Sequence, residues 1–264
     1  MPDMRLNPWL RLFRVVNLPT VPGDVLVGAA SALVAGGHPA SSAAGLYWKA
    51  RLLAPVWWAA AASVFIYMFG LVQNDVIGAR TDKGRPIADG EILMDSAWAA
   101  GAACLGMAAF CAYFGGLFKG GFFLSRWSWS DMALTLVAII TMYNRSKRWW
   151  MMGACRGLNV LLGVSAVYAS GRPAGAFDVR AFSLAVVWWL YISLVTLYSE
   201  GEERDPVKRR RVGLLVGGIV YLQMAALGAC VLASHGLWPL LAAGIALLVI
   251  HKVILRLLPR VSAS

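Results

Sequence analysis

The sequence is short of charge. Asp, Glu, Lys and Arg make up 14% of its 264 residues, where soluble proteins carry about 25%. That shortage excludes an ordinary water-soluble domain. Acid is scarcer than base: 13 carboxylates stand against 24 Lys and Arg, a net charge of +11. The basic residues form no single block. They fall in clusters between apolar runs, which points away from nucleic acid and towards membrane topology. Cysteine is limited to Cys104, Cys111, Cys155 and Cys230. All four lie in apolar stretches with no C-x-x-C pair, which excludes a zinc site and leaves them as small core residues. No stretch is long enough for a separate soluble domain, and the period-two alternation of a membrane β-barrel is missing.

Long apolar runs are abundant. A membrane-crossing helix needs about 20 mostly apolar residues. Eight segments qualify, at roughly 18–35, 52–72, 92–118, 127–143, 150–169, 182–198, 212–233 and 237–257. The sequence therefore predicts one all-α integral membrane domain over 1–264, a bundle of about eight transmembrane helices in contact with the lipid bilayer. Arg5, Arg11 and Arg14 before an apolar stretch, with Ala30-Ser31-Ala32 after it, have the outline of a signal peptide. Pro19, Pro22 and Asp24 interrupt that stretch, so a retained first helix is expected. Eight crossings place 18 of the 24 basic residues on one side. That side is then cytoplasmic, with both termini on it, as in a bacterial inner (plasma) membrane protein.

The polar stretch from Gln73 to Glu91 holds the most chemistry. Asp75 and Asp82 lie among Arg80, Lys83 and Arg85 at the end of an apolar helix. Carboxylates suit Mg2+, which takes few protein ligands and bridges to substrate phosphates. Arg80, Lys83, Arg85, Lys147, Arg148 and Arg156 are placed to clamp a diphosphate. Apolar helices behind such a mouth would hold a lipid chain, so a polyprenyl diphosphate matches both halves. Tyr143, Trp149 and Tyr198 are candidates to shield an allylic cation. Arg156 and Asn159 interrupt the fifth apolar run, where polar groups are functional candidates by default. A faint repeat pairs Arg14-Val-Val-Asn17 with Arg156-Gly-Leu-Asn159. It predicts two four-helix halves that bring two acidic loops, around Asp75 and around Glu200, Glu202 and Glu203, to one cavity mouth.

These motifs resemble the UbiA superfamily of intramembrane prenyltransferases. Asn74-Asp75 through Asp82, followed by Arg85-Pro86 and Gly90, resembles the first aspartate-rich motif. Tyr143-x-x-x-Lys147-Arg148 resembles the tyrosine–lysine motif, and Asn17-Leu-Pro-Thr the entry to the first helix. Met152-Gly-Ala-Cys-Arg156-Gly-Leu-Asn159 is similar to the EboC-like branch, as is the pattern of Thr196, Ser199 and Glu202. The resemblance implies Mg2+-dependent transfer of a prenyl group from a polyprenyl diphosphate to an acceptor that the residues do not identify. It makes Asp75, Asp82 and Glu202 metal ligands, with Asn74 orienting them. It gives Arg85, Lys147 and Arg156 the diphosphate, and Asn17 and Asn159 the substrate. Two departures stand out. Gly78 replaces the second aspartate of the first motif, so Gly78→Asp is expected to strengthen metal binding. Glu200-Gly-Glu202-Glu203-Arg-Asp205 replaces the later D-x-x-x-D. These departures keep two rivals open: a non-catalytic isoprenoid-binding or pathway-assembly protein, and a small transporter of anionic metabolites.

Overall fold

The computed structural model describes residues 7–35, 44–115, 129–169, 179–202, 205–233 and 237–257. Among them the chain is all helix and turn, with no strand. The short α1 (Pro8–Leu12) is followed by α2 (Thr20–Ala35), α3 (Ala44–Ile77), α4 (Met94–Phe114) and α5 (Trp129–Ser146). Then come α6 (Trp149–Ala169), α7 (Val179–Ser199), α8 (Pro206–Ala233) and α9 (Trp238–Leu257). Each of the eight apolar segments is thus a helix. Six of them, α3, α4, α6, α7, α8 and α9, are long and apolar enough to cross a membrane. The other two depart from the expectation of eight full spans. α2 has only 16 residues, and α5 carries Asp131, Asn144 and Arg145. Large apolar side chains such as Leu194, Leu214 and Leu232 stand exposed on the outer faces. In an integral membrane protein that surface meets lipid tails.

The bundle centre is the crossing of α2 and α6, which pack closely along their length. A Cβ on Gly28 would overlap the Val160 carbonyl oxygen, and one on Gly163 would overlap that of Val25. The contact is reciprocal, so the first helices of the two halves meet about a local pseudo-two-fold. Its register pairs Val25 with Val160 and Gly28 with Gly163, seven residues away from the register of the Arg-x-x-Asn pair. That is about two helical turns, so the short motif misplaces the repeat. α7 docks on α6 by a second close approach. Cβ atoms on Gly153 and Gly157 would run into the Trp189 and Ala185 carbonyls. Small residues four apart let backbones touch where lipid supplies no hydrophobic drive between helices.

The helix ends set the geometry of the mouth. Arg85, in the turn after α3, and Lys147, after α5, lie close together, and Arg14, before α2, acts on Lys147. Each pair α2–α3 and α4–α5 therefore runs out and back as a hairpin. The α1 residue Leu12 packs in one apolar cluster with Val72 of α3, with Ile87 and Ile92 of the turn, and with Ala97 of α4. Arg11 pairs with Glu91 at 3.1 Å over the same turn.

Candidate functional site

Asp75 sits two residues before the end of α3, almost wholly buried at 4% exposure. The chain then leaves the helix in a turn that brings its cations back. Arg85 Nη1 donates to Asp75 Oδ1 at 2.8 Å and lies 3.1 Å from Asp82 Oδ2, so one guanidinium nitrogen ties both carboxylates. The root of that arginine is fixed by Gly84, whose φ of +83° favours glycine and whose N–H donates to Asp89 Oδ1 at 3.0 Å. Asn74 donates to Asp75 Oδ1 at 3.3 Å and accepts from Lys147 Nζ. Below them Asn144 donates to the Gly70 carbonyl at 2.8 Å and to Gln73 Oε1 at 2.9 Å, locking α5 to α3.

Gly78 has a packing reason. A Cβ there would run into the Asp82 carboxylate and lie 3.2 Å from the Asn74 carbonyl oxygen. Asp82 folds into the space that glycine leaves, with its other oxygen accepting from Thr81 Oγ1 at 2.9 Å. A carboxylate added by Gly78→Asp would therefore enter the space that Asp82 occupies, and Asp82 would have to shift.

Lys147 has a φ of +53° and Arg14 one of +41°, a region that costs a non-glycine residue about 1–2 kcal/mol. Such strain persists where surrounding contacts hold it, often at functional sites. Partial burial, then the neighbouring Arg85, pushes the Lys147 ammonium below its usual range, with Arg14 acting in the same direction. Lys147 Nζ also stands 5.6 Å from the Tyr143 ring centre. Arg85 thus ties the two carboxylates, Lys147 stands beside them through Asn74, and Arg14 acts on Lys147. Arg14 was not among the residues singled out as ligand-binding from the sequence.

The remaining candidates are placed elsewhere. Arg80, Lys83 and Arg148 are exposed and form no ion pair among the described residues. Asn17 lies in the turn before α2, where its carbonyl accepts from Thr20 Oγ1 at 2.7 Å. Glu202 does not join Asp75 and Asp82, and no group of three metal-ligating side chains forms among the described residues. Trp189 Nε1 donates to the Trp150 carbonyl at 2.9 Å and Ser193 Oγ reaches the same oxygen at 3.5 Å, so that level of α7 lies beside the start of α6. The six residues from Ser193 to Ser199 carry α7 about 9 Å further. Asp205 then caps α8, accepting from the N–H groups of Val207 and Lys208 at 2.9 and 3.2 Å. Glu203 lies outside the described residues.

Arg156 departs from its expected role. About 10 Å down α6 from its start, it is buried and pairs through Nε with Asp24 Oδ2 at 3.0 Å, while Nη2 donates to the Thr20 carbonyl at 3.2 Å. The other Asp24 oxygen accepts from Trp188 Nε1 at 2.9 Å and Gln223 Nε2 at 2.7 Å. Asn159 donates to the Val21 carbonyl at 3.4 Å. Asp24 is 0% exposed, so this second polar cluster fastens α2, α6, α7 and α8 together inside the bundle. Asp24 and Gln223 were legible only as lone polar residues in apolar runs.

No family model matches the sequence, and no curated protein does. Among solved structures the chain is similar to a UbiA homologue from Archaeoglobus fulgidus bound to Cd2+. The TM-score is 0.49 and the identity 14%, over 94% of this chain and 89% of that one. The same homologue bound to GPP and Mg2+ gives a TM-score of 0.49 and 13% identity, over 96% and 87% of the two chains. A structure described as concerning digeranylgeranylglyceryl phosphate synthase in membranes gives a TM-score of 0.46 and 15% identity, over 96% and 95%.

Proposed function

We propose that the chain is an intramembrane prenyltransferase of the UbiA type that transfers a prenyl group from a polyprenyl diphosphate. The observation that carries this reading is the mouth cluster. A buried Asp75 at the end of a membrane-length helix shares one arginine with Asp82, beneath Arg14 and Lys147. The motif resemblance of the same residues supports it. Mg2+ fits this donor set. Two hard carboxylates already converge on one cation position, and Mg2+ characteristically takes one or two carboxylates together with phosphate oxygens. Asp75 and Asp82 would hold it, and bound there it neutralises charge developing on the departing diphosphate. Arg14, Arg85 and Lys147 hold the diphosphate oxygens at the mouth and lower the barrier to their departure. The apolar helices take the isoprenoid chain and keep water from the allylic cation, and Tyr143, whose ring lies 5.6 Å from Lys147 Nζ, would be the aromatic to shield it. The acceptor's own proton is lost as the new bond forms.

The test is release of diphosphate from a labelled allylic diphosphate by the protein in liposomes with Mg2+. Asp75→Asn keeps the size of the side chain and removes its charge. It should lower turnover by at least about a hundredfold, the scale of losing a group that stabilises the transition state. Turnover equal to wild type would overturn the reading. A second reading, an isoprenoid-binding protein without turnover, is favoured by the missing third carboxylate among the described residues. Uptake of the labelled lipid with no diphosphate release would establish it.

A further inference from the structure

The position of Arg85 bears on how the mouth is filled. Its Nη1 lies 2.8 Å from one oxygen of Asp75 and 3.1 Å from one of Asp82. That is the position a cation bridging these same two oxygens would take. A divalent ion and the guanidinium cannot both have it. Asp75 is 5% exposed at its side chain while Arg85 is 30% exposed. The carboxylate cannot turn away to water, but the arginine can swing outward. Its backbone need not move, since the Gly84 turn is pinned to Asp89.

We propose that Arg85 is an exchangeable counter-ion. It holds Asp75 and Asp82 until a divalent cation arrives with a diphosphate, then yields the carboxylates to the metal and takes the phosphate oxygens itself. This rests on the reading of the mouth as a diphosphate site, and it adds an order to that reading. A bare divalent ion must evict Arg85 towards Lys147, on which Arg85 and Arg14 both act. The guanidinium then loses its hydrogen bond to Asp75 and its ion pair with Asp82 and gains a like-charge neighbour, so the bare ion binds weakly. A metal with a diphosphate offers the displaced guanidinium a new anion in a geometry it binds well. The same anion answers Lys147 and Arg14. The site therefore selects the metal–diphosphate pair over either component. By linkage each component raises the affinity for the other by the same factor. An apolar alcohol or monophosphate lipid with the same chain would supply less charge to the three cations and would exchange Arg85 less readily.

The experiment uses the full chain in detergent micelles, with Mn2+ as the metal probe and methylenediphosphonate as the diphosphate probe. Bound Mn2+ is followed by loss of the free-ion paramagnetic resonance signal and plotted against free Mn2+, because the diphosphonate also binds the metal in solution. Wild-type protein should bind Mn2+ at least about tenfold more tightly when diphosphonate is saturating, within the usual range of coupling between sites. Arg85→Gln should bind Mn2+ alone more tightly than wild type does, and the enhancement by diphosphonate should shrink to below about threefold. Equal wild-type affinity for Mn2+ with and without diphosphonate overturns the exchange while leaving a diphosphate site in place. An Arg85→Gln variant of intact helicity that binds Mn2+ alone no better than wild type also overturns it. If wild type and Asp75→Asn take up equal Mn2+ in the presence of diphosphonate, the diphosphate reading itself falls. The wild-type coupling is measured without any substitution, so a variant that fails to fold leaves the inference open to refutation.

Discussion

Asp24→Asn removes one charge from the most enclosed ion pair among the described residues. Asp24 is 0% and Arg156 8% exposed, and their charged atoms are 3.0 Å apart. In the variant, the remaining carbonyl oxygen can still accept from Trp188 and Gln223. The new amide nitrogen faces Arg156 Nε, a donor against a donor. The arginine is left charged, buried and short of an acceptor, which characteristically costs about 3–5 kcal/mol. At about 2–4 °C per kcal/mol for domains of about this size, the apparent Tm should fall by roughly 6–20 °C. A thiol-reactive fluorophore reports unfolding directly, because Cys104, Cys111 and Cys155 are free and buried. Arg156→Gln should cost a similar amount by stranding Asp24. The double variant should be no worse than either single one, since an amide pair can replace the ion pair. A Tm for Asp24→Asn within about 1 °C of wild type, or single effects that simply add in the double variant, would refute the pairing. The double variant also separates two roles for Arg156. If it fastens helices, the refolded double variant keeps its diphosphate release. If it grips the diphosphate, stability returns and release does not.

Gly78→Asp should raise the Mg2+ concentration needed for half-maximal diphosphate release, because its carboxylate enters the space that Asp82 occupies; a lowered requirement would show that Asp82 can move aside. Lys147 is held below its usual 10.5 by partial burial and by Arg85, so diphosphate affinity should fall on the alkaline side sooner than an ordinary lysine would allow. Between the lowered value and 10.5 the unfolded chain binds more protons, so stability should rise with pH over that window. Lys147→Arg stays charged and should lose the alkaline fall in affinity, as read by titration with methylenediphosphonate; an unchanged profile would remove Lys147 from the site.

The helices were legible because each is a long apolar run, and in lipid every backbone polar group must be satisfied within the segment. Length was less legible. The basic run Lys208–Arg211 reads as loop from its charge, yet it forms the first turns of α8, whose start is fixed by the Asp205 cap and Pro206. Asp75, Asp82, Arg85 and Lys147 were legible as one cluster because two hairpins return their ends to one place. Arg156 was legible as special, but its partner Asp24 was not. Sequence order makes the charges of helix ends conspicuous and hides Asp24, which lies 132 residues away from Arg156 and meets it only when α2 crosses α6. Gly78 shows the same limit. A motif has one dimension, and only the fold shows Asp82 lying back over the glycine.

The crossing of α2 and α6 also explains why the mouth is one-sided. Two halves that repeat in sequence would bring matching acidic loops to a shared opening, and α2 and α6 do meet reciprocally, through the Gly28 and Gly163 contacts. The charges do not follow the backbone. In the first half, α3 ends level with Lys147 and places Asp75 among the cations. In the second half, α7 runs on about 9 Å past the Trp150 carbonyl that Ser193 touches, and Glu202 forms no three-ligand group with Asp75 and Asp82 among the described residues. Its acidic loop is then tied to the α8 entry by the Asp205 cap and by Lys208 Nζ, which donates to the Glu200 carbonyl at 2.6 Å. What replaces a second carboxylate group at the mouth is a surplus of cations, Arg14 and Lys147 beside Arg85. A site with two carboxylates and three cations is poorly matched to several metal ions without an anion, and well matched to one metal that arrives on a diphosphate. The asymmetry of the two halves and the exchange at Arg85 are therefore the same property of the mouth, set by where two helices stop.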